Sequence, residues 1–306
     1  MSDITKRLLT QLGDSELVEK FSALSNSDFN SLMLTIFQAR ANETTPADIV
    51  KAYQSNRFSV PSKLDPVAYH VMEAEFLSAA QKMDVNPVLL SPAVPFASSS
   101  VFGYVSQNNV ASAVRGVEIL PDPTNMLSIM IAEQLKTKKV DNTKPIHYCT
   151  TARVLRAQTI PKTNRHFAHF GQFCIVSSGK DTGSYTCEKE LFMKQLAFYK
   201  EFLWKKYGTN LSVILQKRRG YTDGDGFFDA MAELVKNELP DSSLSFDMKY
   251  GDSDYYKGMS FIVYMEKNGD RIEIGGGGFV DWIQRLTNNK KERCLISGIG
   301  LDRLLL

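Results

Sequence analysis

The side chains best suited to chemistry crowd one stretch of the chain, residues 150–179 (TTARVLRAQTIPKTNRHFAHFGQFCIVSSG). Its alternation predicts two strands joined by a short turn. Ala152, Val154, Arg156 and Gln158 share one face at period two, and Arg153, Leu155 and Ala157 share the other. Pro161 and Asn164 supply the turn signals within 160–164. On the return strand Arg165, Phe167, His169, Gly171 and Phe173 fall on one face. If the hairpin closes so that the 156/158 face meets the 165/167/169 face, one surface carries guanidiniums, an amide and an aromatic ring. Guanidinium forks grip phosphate or carboxylate through paired hydrogen bonds, and a ring or guanidinium plane stacks on a base. Such a surface is a nucleotide platform. The same pattern also describes a half-buried hairpin with a solvated basic edge.

Other constellations are weaker. His166 and His169 are three apart and point to opposite sides of a strand, and His70 and His147 have no partners at ligand spacing, so no metal site is expected. The TDGDGFFD segment (222–229) starts like a calcium loop, but Phe227 stands at a ligand position and no glutamate closes a twelve-residue loop; a turn leading into a helix is expected instead. Gly275 to Gly278 form a run of four glycines between a predicted strand and helix, matching neither GxGxxG nor a phosphate loop. Residues without Cβ let a ligand approach the backbone, or permit a sharp bend. Tyr255 and Tyr256 place two phenols beside a strand start, where they could be core or could orient a polar ligand.

These residues need a scaffold, and the chain is long enough to build one. Its 306 residues are 43% hydrophobic and 23% charged, as in an ordinary globular protein, and the net charge of +2 gives no overall polyanion-binding signal. Basic clusters at 136–139, 217–219 and 290–293 read as solvated faces or strand ends. Cys149, Cys174, Cys187 and Cys294 show no CxxC spacing, which fits reduced thiols in the cytoplasm. No leader and no membrane span is expected.

Residues 1–60 read as a small module of short amphipathic helices, with stripes such as Phe29, Leu32, Met33, Ile36 and Phe37. Each is too short to be stable alone. The PSKLDP segment (61–66) marks a boundary, and 61–306 forms the second unit. There, helices are expected at 67–83, 122–135, 188–207, 227–239 and 279–286. Strands are expected at 211–215, 244–248, 259–265, 271–274 and 294–297, with extended segments at 88–90 and 101–105. Antiparallel hairpins among helices imply an α+β domain around a mixed sheet.

Taken in chain order, five segments resemble the catalytic core of class II aminoacyl-tRNA synthetases, within the branch of histidyl-tRNA synthetase and the regulatory subunit of ATP phosphoribosyltransferase. EILPDPT (118–124) resembles the LRPE/DxT segment that lines the amino-acid pocket. Residues 151–179 are similar to motif 2, and DYYKGMSF (254–261) to the DYYTGxxF signature. GGGGFVDW (275–282) resembles the GGRYDGL loop, and 297–303 resembles motif 3. The resemblance implies ATP and Mg2+ as ligands. Arg156 would grip the α-phosphate, with Arg165 and Gln158 beside it. Phe167 would stack on adenine, and Arg303 would hold the γ-phosphate side. Asp122, Thr124, His169, Tyr255, Tyr256, Gly276 and Gly277 would face the amino acid.

The departures fall mainly on the amino-acid half. Gln158 stands where motif 2 has an acid, and Phe173 where histidyl enzymes contact the substrate ammonium with a glutamate. Gly251 replaces the arginine that precedes the DYY signature, Gly278 replaces the arginine of GGRYD, and Asp302 replaces the motif 3 glutamate. The resemblance therefore implies adenylation of a small carboxylate other than histidine, in a protein without an anticodon-binding domain. The alternative is a non-catalytic ligand sensor resembling the regulatory subunit, with a protein partner at residues 1–60. Near-neutral charge argues against tRNA as partner. A helix followed by a proline-rich extended segment, 67–95, has the shape of the motif 1 pairing element and implies a homodimer; otherwise that stripe packs internally.

Overall fold

The capping signals in the sequence set the helix ends. A computed structural model of the protein describes residues 2–141, 143–158, 168–251, 254–267 and 270–305. Four helices open the chain: α1 (Asp3–Leu12), α2 (Leu17–Ser22), α3 (Asn26–Glu43) and α4 (Pro46–Ser55). Gly13 ends α1 in the left-handed conformation, and Thr45 with Asp48 forms a capping box at α4. Among the described residues of these helices only Leu9 is buried. Their attachment to the remainder includes hydrogen bonds. The Arg115 amide donates to Asn30 Oδ1 (2.7 Å), and Arg57 donates to the carbonyls of Ala157 (2.7 Å) and Gln158 (2.9 Å).

The second part is organised by an eight-stranded sheet. Its strands lie in the order β1 (Asn86–Pro87), β4 (Ile146–Leu155), β5 (His169–Lys180), β10 (Glu292–Gly300), β9 (Asp270–Val280), β8 (Lys257–Lys267), β6 (Ser212–Lys217) and β7 (Ser243–Asp247). The outer pairs β1–β4 and β6–β7 are parallel and the rest antiparallel. β2 (Ala93–Pro95) and β3 (Val117–Ile119) form a separate ribbon. The remaining helices are α5 (Pro66–Lys82), α6 (Ser98–Val101), α7 (Pro123–Lys136), α8 (Thr186–Tyr207), α9 (Gly224–Glu238), α10 (Trp282–Thr287) and α11 (Leu301–Leu305). The chain is an α+β protein with a mixed sheet flanked by helices.

Strand alternation sorts the core into two layers. Phe173 and Ile175 of β5 pack with Phe76 of α5, Phe198 and Phe202 of α8 and Phe227 of α9. Val176 of β5 and Ile296 of β10 face the other way, against Leu127 and Ile131 of α7 and Trp282 of α10. Each such side chain, fully buried, contributes about 1.5–3 kcal/mol of transfer free energy.

Two expectations are corrected. Val101, where the supposed extended segment 101–105 begins, instead ends the short helix α6, because its N–H bonds to the Ala97 carbonyl and the Ser98 and Ser100 hydroxyls satisfy nearby carbonyls. The glycine run is not a loop. It continues β9, paired to β10 on one side and β8 on the other. A Cβ on Gly275 would lie 2.0 Å from the Gly298 carbonyl oxygen, so the neighbouring strand leaves no room for a side chain. Between the strands expected at 259–265 and 271–274, Lys267, Asn268 and Gly269 supply a turn signal, of which 268–269 lie outside the described residues.

His147 of β4 is half-buried, with Nδ1 2.9 Å from Ser177 Oγ. Burial, with the Lys194 ammonium nearby, pushes its pKa down to about 4; Asp84 opposes this weakly. The unfolded chain takes up that proton near pH 6.5, so between the two values it binds more protons than the folded chain. The stabilisation is complete above about pH 6.5 and is lost as pH falls toward 4. Denaturant unfolding should show a decrease of about 2–3 kcal/mol across this window. His147→Gln, which keeps a partner for Ser177, should remove that part of the slope.

Candidate active site

The β4–β5 register decides which hairpin residues share a surface. Leu155 is opposite His169, Arg153 opposite Gly171, and Ala152 opposite Gln172. Directly paired residues point to the same side, so the Arg156 face continues onto Phe170 and Gln172. His169 shares the other face with Arg153. The expected meeting of the 156/158 face with the 165/167/169 face is therefore corrected: even-numbered residues of β4 pair with even-numbered residues of β5. His169 Nδ1 accepts from Arg153 (2.8 Å), and Nε2 donates to the Val60 carbonyl (2.6 Å), which fixes the neutral tautomer. Arg165 and Phe167 lie outside the described residues.

On the Arg156 face a cavity of about 340 Å3 opens. Gly276 of β9 and Gly298 of β10, a directly paired couple, line it together with Arg156, Gln158, Gln172, Asp122, Thr124, Tyr255, Tyr256, Ser99 and Asn109. The Arg156 Nε–H donates to the Pro121 carbonyl (3.1 Å), and the guanidinium lies 5.1 Å from the centre of the Phe170 ring. Its Nη2 is 3.6 Å from Asp122 Oδ2. Asp122 caps α7: its Oδ1 accepts from the Thr124 amide (2.9 Å) and hydroxyl (2.7 Å). Its other oxygen is turned toward the arginine and the cavity.

Tyr255 and Tyr256 sit ring edge to ring face, 4.7 Å between centres, and Tyr255 also meets Trp282. Burial, reinforced by the Asp122 carboxylate, drives both phenols well above their ordinary pKa, so they remain neutral. Gln172 Oε1 is buried and has no hydrogen-bond partner among the described residues. The cavity thus sets a guanidinium for an anion against a carboxylate for an amine, with the Gln172 carboxamide in its wall.

Two further expected residues lie elsewhere. Gly277 points to the opposite side from Gly276 because strand side chains alternate, and it is buried against Ile296 and Ser297. Arg303, in the first turn of α11, donates to the Glu273 carbonyl (3.0 Å) and faces the Glu273 carboxylate (3.2 Å), so it does not line the cavity. Ser99, Asn109 and Gln172 were missed. For Gln172 the signal was present, since it alternates with the apolar Phe173; Ser99 and Asn109 carry none.

No protein-family model matches this sequence, and no curated protein matches it. Solved structures do. The ATP phosphoribosyltransferase regulatory subunit/histidyl-tRNA synthetase from Bacillus halodurans superposes with a TM-score of 0.60 at 13% identity, over 81% of each chain. The fold is that of class II aminoacyl-tRNA synthetases. Apo histidyl-tRNA synthetase of S. aureus gives 0.59 at 11% identity, over 80% of this chain and 68% of that one. A putative threonyl-tRNA synthetase of Aeropyrum pernix gives 0.61 at 13%, over 77% and 58%. The class II fold thus aligns with both branches. Among the described residues no helix is long and apolar enough to cross a membrane, and no cluster of three His, Cys, Asp or Glu is arranged to hold a metal.

Proposed function

We propose that the protein binds ATP and adenylates a small amino acid other than histidine in this cavity. The observation that carries the reading is the pairing of Arg156 with the Asp122 carboxylate at the mouth of a glycine-floored cavity. A zwitterion fits that polarity: its ammonium meets Asp122, and its carboxylate lies toward Arg156. Attack of that carboxylate on the α-phosphorus forms the acyl-phosphate bond and expels pyrophosphate. Arg156 would neutralise charge developing on the phosphoryl oxygens, and the rest is positioning. Histidine is disfavoured because Gly251 stands where histidyl enzymes carry the arginine that precedes the DYY signature.

Among the described residues the one carboxylate lining the cavity, Asp122, is already shared between Thr124 and Arg156, which does not fit a resident Mg2+. Magnesium belongs to the triphosphate as part of the substrate. The four unpaired cysteines suit a cytoplasmic setting. A homodimer would use the outer face of α5, where Val67 is 71% and Val71 51% exposed while Tyr69, Met72 and Phe76 pack inward; sedimentation velocity tests it. One observation favours the sensor reading: Arg303 is held by Glu273.

ATP–pyrophosphate exchange across the amino acids and small carboxylates, with ATP calorimetry alongside, separates the readings. Exchange with one acid identifies an adenylating enzyme and its substrate class. Binding without exchange supports the sensor, and absence of ATP binding overturns the nucleotide reading.

A further inference from the structure

Arg218, the residue after β6, is half-buried on the same side of the sheet as the cavity. Its Nε donates to Ser260 Oγ (2.8 Å) and its Nη2 to Gln216 Oε1 (3.0 Å), both uncharged acceptors. No carboxylate pairs with it among the described residues. Lys217 beside it has Asp225, and Arg293, at a similar depth, has Asp181 and Glu188. A partly buried guanidinium held in a fixed pose by neutral groups keeps its charge available to an anion.

Its position ties it to the cavity. Ser260 pairs with Gly278, and a Cβ on Gly278 would meet the Tyr256 ring at 2.5 Å; Tyr256 is a cavity wall. Arg218 therefore stands one strand position beyond that wall, on the β6 side, whereas Arg156 stands on the β4 side. Gly251 makes the pose possible: a Cβ there would lie 1.4 Å from Arg218 Nη1, so the guanidinium occupies space that any other residue at 251 would take.

We propose that Arg218 is a second oxyanion-binding residue of this site, reaching the ligand from the β6 side while Arg156 reaches it from the β4 side. The proposal rests on the nucleotide reading for which oxyanion is bound, a phosphate of ATP, but not for the existence of the anion site.

Calorimetry of the full chain with ATP, with inorganic pyrophosphate and with uncharged adenosine tests both parts. Arg218→Gln should weaken ATP and pyrophosphate by about tenfold or more and leave adenosine within twofold. Gly251→Ala, which keeps the charge but displaces the fork, should weaken the same two ligands. Arg218→Lys should restore only part of the affinity, because an ammonium does not reproduce the fork. Thermal melts of each variant confirm folding. ATP binding that is unchanged by Arg218→Gln, yet lost in Arg156→Ala, overturns the role of Arg218 and leaves the nucleotide reading intact. Pyrophosphate binding that depends on Arg218, without ATP binding, upholds Arg218 and overturns the nucleotide reading. Binding of neither anion by the wild-type protein overturns both.

Discussion

Arg156→Ala is expected to lower ATP affinity by about a hundredfold while costing about 1 kcal/mol or less in stability. The two effects separate because the side chain is anchored lightly within the protein. It makes one hydrogen bond to the Pro121 carbonyl, a 3.6 Å approach to Asp122 and a ring contact with Phe170. A partly exposed pair of that kind contributes little to folding. Two charge-assisted hydrogen bonds to a phosphate, by contrast, are each worth about 1.5–3 kcal/mol, and 1.4 kcal/mol is tenfold in affinity. Asp122→Asn is the informative companion. It removes the competing anion beside Arg156, so ATP should bind as well as or better than to the wild type, while the amino acid loses the partner of its ammonium. Calorimetry with each ligand alone reads both effects. Equal loss of ATP binding in Arg156→Ala and Asp122→Asn would mean that the pair acts as a unit and that the assigned polarity is wrong.

Phe76→Ala is expected to destabilise the protein by about 3–5 kcal/mol. Phe76 is fully buried in α5, with its ring 3.8 Å from that of Phe202, 4.8 Å from Phe173 and 6.4 Å from Phe198. Its removal leaves a void between α5, α8 and β5 that rigid neighbours cannot fill. The damage should reach the site, because α5 supports the underside of the β4–β5 hairpin. Tyr69 of α5 fits against Gly171, where a Cβ would meet its hydroxyl at 2.2 Å, and Arg153 lies over the Tyr69 ring. Denaturant unfolding measures the loss, and Phe76→Leu should recover most of it. A cost under about 1 kcal/mol for Phe76→Ala would show that this layer is packed differently.

The helices were largely legible in the sequence because caps and apolar periodicity agree. Asp122 with Pro123 and Thr124 announced α7, and Gly208 the end of α8. The strands were legible as strands, but not their facing. The hairpin was read from two correct alternations, yet which pairs meet depends on the closing turn, and a shift of one residue exchanges the two faces. That is why Arg156 lines the cavity while His169 lies on the other face of the hairpin. The glycine run was misread for a related reason. Glycine punctuates most chains, and only the close approach of β8 and β10 shows why four can stand inside a strand here. Ser99 and Asn109 come to the cavity through the loops around the sheet, which leaves no trace in local sequence.

A floor made of Gly276 and Gly298 has a consequence for how such a pocket can change its ligand. Backbone atoms offer the same surface whatever the neighbouring side chains are, and a methyl group on Gly276 would collide with the Phe261 carbonyl oxygen at 2.3 Å. The Gly276 side of the base is therefore closed to retuning by point substitution, and selectivity falls mainly to the walls. The Tyr255–Tyr256 pair, Gln172 and Ser99 stand on three separate segments, so each of these walls can be exchanged with little disturbance to the others. A protein built this way can acquire a new ligand in single steps while its sheet stays as it is.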